Sequence, residues 1–146
     1  MKTLIIILII AAFLQTTIIP IDLVLLLLIC RAYIKSEKAN LYLAFILGLF
    51  VTHLNLGNLG IQSIIYLVAV SATQMLSKLQ FAGNPLLIVP ITAVFLFINQ
   101  IINSYINQNT VGFLSIILAS LLSLPTLYLI RIWEERFIVR KDIKLK

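Results

Sequence analysis

Residues 20–38 read Pro20-Ile-Asp-Leu-Val-Leu-Leu-Leu-Leu-Ile-Cys-Arg-Ala-Tyr-Ile-Lys-Ser-Glu-Lys38. One acid opens the stretch, cations close it, and Leu23 to Ile29 between them is apolar at every position. A helix with one face in water shows polar residues every three or four positions, and this run has none. Leu4 to Leu14, Leu41 to Val51 and Ile61 to Val70 repeat the pattern, apolar nearly all round. Of the 146 residues, 62% are hydrophobic and 11% charged, against roughly 25% charged in a soluble domain. Lipid is the expected solvent for such faces, and the expected fold class is an all-α, polytopic membrane protein.

A helix rises about 1.5 Å per residue and the hydrocarbon layer is roughly 30 Å thick, so a crossing takes about 17 to 25 residues. The chain then divides into about six short transmembrane helices in one bundle: Thr3 to Ile18, Asp22 to Ile34, Asn40 to Leu54, Ile61 to Leu76, Pro85 to Tyr105 and Val111 to Ile130. The connectors are short enough to make successive helices antiparallel neighbours. No repeat or polar linker divides residues 1–146, which read as a single transmembrane domain whose last part, about 131–146, is a basic cytoplasmic tail.

The cations orient it. With Lys2 on the cytoplasmic side, the alternation puts Arg31, Lys35 and Lys38, then Lys78, then Arg131, Arg136, Arg140, Lys141, Lys144 and Lys146 on that side, which is all eleven Lys and Arg residues. Positive charge in short loops resists translocation, so both termini are expected in the cytoplasm. A cleaved signal peptide is the competing reading of Lys2 and the run after it, but no small-x-small cleavage site follows that run. The net charge of +6 sits at helix ends without the aromatic interleaving of a nucleic-acid surface, so no nucleic-acid partner is expected. Trp133, Tyr128 and the cations after them read as an anchor at a lipid interface, making membrane lipid a partner.

Asp22 follows Pro20 and opens a helix, the place of a cap for unpaired backbone N–H groups; a protein contact and ion binding are the alternatives. Gly57 and Gly60, in Asn55-Leu-Gly-Asn-Leu-Gly60, are suited to the positive φ of a tight reversal. His53 is the only histidine, and Cys30 the only cysteine; neither has the neighbours of a metal site, and no cofactor is expected. Asn99, Gln100, Asn103, Asn107, Gln108 and Asn109 read as a solvated loop edge, with lining a substrate path or hydrogen-bonding another helix as the alternatives. Glu134 and Glu135 read as salt-linked surface charges. HExxH, GxSxG and Walker motifs and an intramembrane carboxylate pair are missing, so no enzyme is expected.

Three segments carry a resemblance: Pro20-Ile-Asp22-Leu-Val-Leu, Gly48 with the reversal ending Leu59-Gly60, and Asn84-Pro85-Leu-Leu. Together with length, helix count and basic inner loops, they make the chain resemble the rod shape-determining protein MreD family. Thr52 stands where that family commonly has an Asp. The resemblance marks Pro20, Asp22, Gly48, Gly57, Gly60, Asn84 and Pro85 as candidate partner-contact positions. It implies a non-enzymatic scaffold of cell-wall elongation in the bacterial cytoplasmic membrane, contacting MreC and the wall synthase, RodA with its class B penicillin-binding protein. It also implies a fold similar to the substrate-binding subunits of energy-coupling-factor transporters. The alternative is therefore a subunit holding a vitamin or metal from outside.

Overall fold

The computed structural model describes residues 2–18, 21–56, 60–78, 84–107 and 112–137. Pro20, Gly57, Gln108, Asn109 and the cations from Arg140 onward lie outside the described residues. Those residues form six α-helices: α1 (Lys2–Thr17), α2 (Leu23–Ile34), α3 (Lys38–Leu54), α4 (Ile61–Lys78), α5 (Ile88–Asn107) and α6 (Phe113–Phe137), with a 3-10 turn over Pro85–Leu87 leading into α5. The boundaries follow the expected ones closely except at the end of α6. That helix runs on past Ile130, so the first part of the expected tail is helical.

α2 is the hub. It packs against every other α-helix, and Val24, Leu25, Leu26, Leu28, Ile29, Cys30 and Ala32 are all buried. This corrects one expectation: the apolar circumference of α2 is met by protein, not by lipid. Its 12 residues span only about 18 Å, too short to cross a bilayer unaided. Around it, α1 buries Leu4, Leu8, Ala11 and Ala12, the i, i+4, i+7, i+8 stripe of a helix lying on a core. Its other side exposes Ile6, Ile10 and Phe13, an aliphatic face where a soluble protein would carry charge.

α3 and α4 approach at Gly48. A Cβ there would lie 2.5 Å from the Cα of Ser63, so only glycine permits the contact. Thr52, one turn on, returns its hydroxyl to the Gly48 carbonyl at 2.7 Å. Among the described residues of the α3–α4 turn, Gly60 has the expected positive φ, and so does Leu56, which sequence reasoning did not select. α5 is started by Asn84, whose Oδ1 accepts from the Leu86 N–H at 3.1 Å, with Pro85 at the first position of the turn, where its missing N–H is harmless.

Hydrogen bonds and ion pairs show the alternation directly. At one end, the C-termini of α2, α4 and α6 gather with the starts of α3 and α5. Arg31, 3% exposed, lies 3.6 Å from Glu37 and 3.6 Å from Glu134. Gln74 donates to the Glu37 carbonyl, and the Tyr33 hydroxyl to the Asn84 carbonyl. Glu135 makes the expected exposed pair with Arg131, but Glu134 is buried. The surface reading of Glu134 is corrected because the extra turns of α6 carry it over the end of α2.

The segment Pro85–Ile106 and the helical stretch Phe113–Arg136 are each long and apolar enough to cross a membrane. Thr3–Thr17, Leu23–Ile34 and Lys38–Leu54 are shorter apolar helices.

Candidate functional site

At the opposite end from Arg31, polar side chains from α1, α4 and α5 converge on the start of α2. Asp22 occupies the N-cap position of α2, yet its carboxylate makes no capping hydrogen bond. The cap comes from another helix: Gln15 of α1 accepts the Val24 N–H through Oε1 at 2.9 Å. This corrects the expected capping role of Asp22. A glutamine side chain fixed on a packed helix reaches the N–H first, and the carboxylate is turned toward α5.

There, Asn99 Nδ2 donates to Asp22 Oδ2. Asn99 is fully buried, and its Oδ1 accepts from Gln62 Nε2 of α4 at 3.0 Å and from Asn103 Nδ2 at 3.1 Å. Asn103 Nδ2 also approaches Gln62 Oε1 at 3.2 Å. The amide geometry explains the arrangement: Asn99 and Asn103, four residues apart on one helix, share a face, and each amide offers both donors and acceptors. One turn along α4 from Gln62, Tyr66 is fully buried, and its hydroxyl has no hydrogen-bond partner among the described residues.

Two cavities open beside this network. One, of about 270 Å³, is lined among others by Gln15, Asp22, Asn55, Gln100, Asn103 and Ser104. The other, of about 220 Å³, shares Asp22, Asn55 and Asn103 and adds Thr52 and Gln62. At about 30 Å³ per water, the larger has room for several waters or one small polar solute. No Lys or Arg among the described residues lines either cavity. The carboxylate therefore meets neutral amides, which lower the cost of burying a charge without cancelling it. Among the described residues no three His, Cys, Asp or Glu gather as a metal site.

Of the positions singled out from the sequence, Asp22 is in this network, Gly48 is at the α3–α4 contact against Ser63, and Gly60 lines neither cavity. Asn84 and Pro85 stand at the far end, so these positions do not form one site. Asn99 and Asn103 were legible as a polar cluster, but their reading as a solvated loop edge is corrected by the burial of Asn99. Gln15 and Gln62 were missed. The signal was present in Gln62, a lone amide in an apolar stretch of helix. His53 is exposed and lines neither cavity.

Comparison with protein-family models, with curated proteins and with solved structures finds no match to this chain.

Proposed function

We propose that this chain is a multi-pass protein of the bacterial cytoplasmic membrane, with six crossings and both termini in the cytoplasm. In this reading it acts as a non-enzymatic scaffold of the cell-wall elongation machinery. Its contacts run through helix surfaces to MreC and to the wall synthase, RodA with a class B penicillin-binding protein.

The observation that carries the reading is the division between inside and outside. The polar groups near the MreD-like segments are engaged within the chain: Asp22 with Asn99, Gly48 against Ser63, Asn84 with Leu86 and Tyr33. The surfaces left outward on α1, α4, α5 and α6 carry Ile6, Ile10, Val68, Val94, Leu118 and Leu121, all exposed. A rigid body with a polar interior tie and an apolar exterior is suited to lateral association in a bilayer, where close packing and a few hydrogen bonds drive contact. The described cations Arg31, Lys35, Lys38, Lys78, Arg131 and Arg136 belong to one end of the helix alternation, which supports the cytoplasmic assignment of that end.

One observation favours a second reading. The cavity at Asp22 is polar, faces the end assigned to the outside, and is large enough for a small solute, as expected of a transporter's substrate-binding subunit. Depletion in the host separates the two. The scaffold reading expects rounded, widened cells and a crosslinked complex with MreC. Unchanged cell shape, with loss of uptake of one vitamin or metal and submicromolar binding of it by the purified chain, would replace it by the transporter reading.

A further inference from the structure

The end of the molecule that holds Arg31 carries a second concavity, unlike the polar one. Between α1 and α6, floored by α2, lies a slot of about 450 Å³. Leu4 and Leu8 of α1, Leu27 of α2, and Leu129 and Ile132 of α6 form its walls. Its members on α6 run from Thr126 to Arg136, about 15 Å along the axis. The Thr126 hydroxyl donates to the Leu122 carbonyl at 2.8 Å, so that end offers the slot little polarity. The other end is rimmed by Arg31, Trp133 and Arg136. The slot is thus apolar along its length and cationic at one mouth.

We propose that this slot holds an acyl chain of an anionic phospholipid, with the phosphate at the mouth against the Arg136 guanidinium and beside the Trp133 indole. The lining selects the occupant. Away from the mouth the slot offers aliphatic side chains of α1, α2 and α6, which suit a hydrocarbon chain and give no partner to polar groups. The charge selects the headgroup. Arg31 is held by Glu37 and Glu134 and fixes the mouth, while Arg136 is exposed and lies on the lining; a guanidinium favours phosphate as a forked donor. Arg131, nearby on the same helix, is paired with Glu135 and lines a different concavity. It is therefore an internal control for general attraction of a basic helix end to an anionic surface. The site rests on the membrane reading above and not on the scaffold role.

Trp133 is the only tryptophan in the chain, so its fluorescence reports on the mouth directly. The full chain is reconstituted into phosphatidylcholine vesicles containing a small fraction of brominated phosphatidylglycerol or, in parallel, brominated phosphatidylcholine. Brominated phosphatidylglycerol should half-quench Trp133 at a mole fraction about fivefold lower, the scale of one cation at an anionic surface. Arg136→Gln should erase that preference, and Arg131→Gln should retain it. Equal quenching by both lipids, or equal loss in both variants, would overturn the site and leave only a basic belt. A chain that does not float with the vesicles would overturn the membrane reading itself, and the site with it.

Discussion

Asn99 spends one amide on three side chains: it donates to Asp22 and accepts from Gln62 and Asn103. Removing it leaves buried polar groups on other elements without partners, each at a cost of about 1 to 3 kcal/mol. Asn99→Leu should therefore lower stability by roughly 2 kcal/mol or more, read as a shifted unfolding midpoint in detergent. Asp22→Asn should be much milder, because an amide oxygen still accepts from Asn99 and a buried charge is lost. A drop for Asp22→Asn as large as for Asn99→Leu would show that the negative charge itself matters. At the other end, Glu134→Ala strands Arg31 beside a single acid, and a broken buried ion pair costs on the order of 3 kcal/mol. Glu135→Ala, on the exposed pair with Arg131, should cost about 0 to 1 kcal/mol; equal losses for the two would contradict the burial of Glu134. These residue types were visible in the sequence, and the four-residue spacing of Asn99 and Asn103 placed them on one face. Which element that face meets depends on where α4 packs, and no local pattern encodes it.

Among the elements, α3 and α4 meet backbone to backbone at Gly48. Because a Cβ at Gly48 meets the backbone of Ser63 and not the end of a flexible side chain, the helices must separate to admit even a methyl. Gly48→Ala should cost about 1 to 3 kcal/mol, measured by thermal unfolding of the purified chain. That stability loss distinguishes internal packing from a partner-contact role for Gly48, which would leave the isolated chain as stable as before and weaken only the crosslinked complex. Helix extents were largely readable, since apolar runs, Pro85 and the glycines mark them. The place of α2 at the hub was not. A run apolar all round satisfies protein and lipid equally, and only its shortness, about 18 Å, distinguishes a helix enclosed by neighbours. The extension of α6 was equally hidden, because the charged residues from Arg131 look like a tail until Glu134 is seen beneath the helix against Arg31.

For the whole molecule, the central claim is that six helices alternate through a bilayer, with the Arg31 end inside and the Asp22 end outside. The up-down order of the helices was legible in the sequence because the connectors are short. The proposed orientation in a bilayer rests on every Lys and Arg falling on alternate connectors or the termini, since charge in short loops records orientation. The cavities were not legible, since they arise from how helices far apart in sequence diverge at their ends. Cysteine labelling tests the claim most directly. Cys30→Ser removes the only native thiol, and a hydroxyl there keeps a donor for the Ser123 carbonyl, which Cys30 Sγ approaches at 3.6 Å. On that background, Leu56→Cys, at a position 93% exposed on the α3–α4 turn, should react with a membrane-impermeant maleimide in intact cells. Lys35→Cys, at the other end of the alternation, should react only after permeabilisation. Labelling of Lys35→Cys from outside, or protection of Leu56→Cys there, would contradict the account.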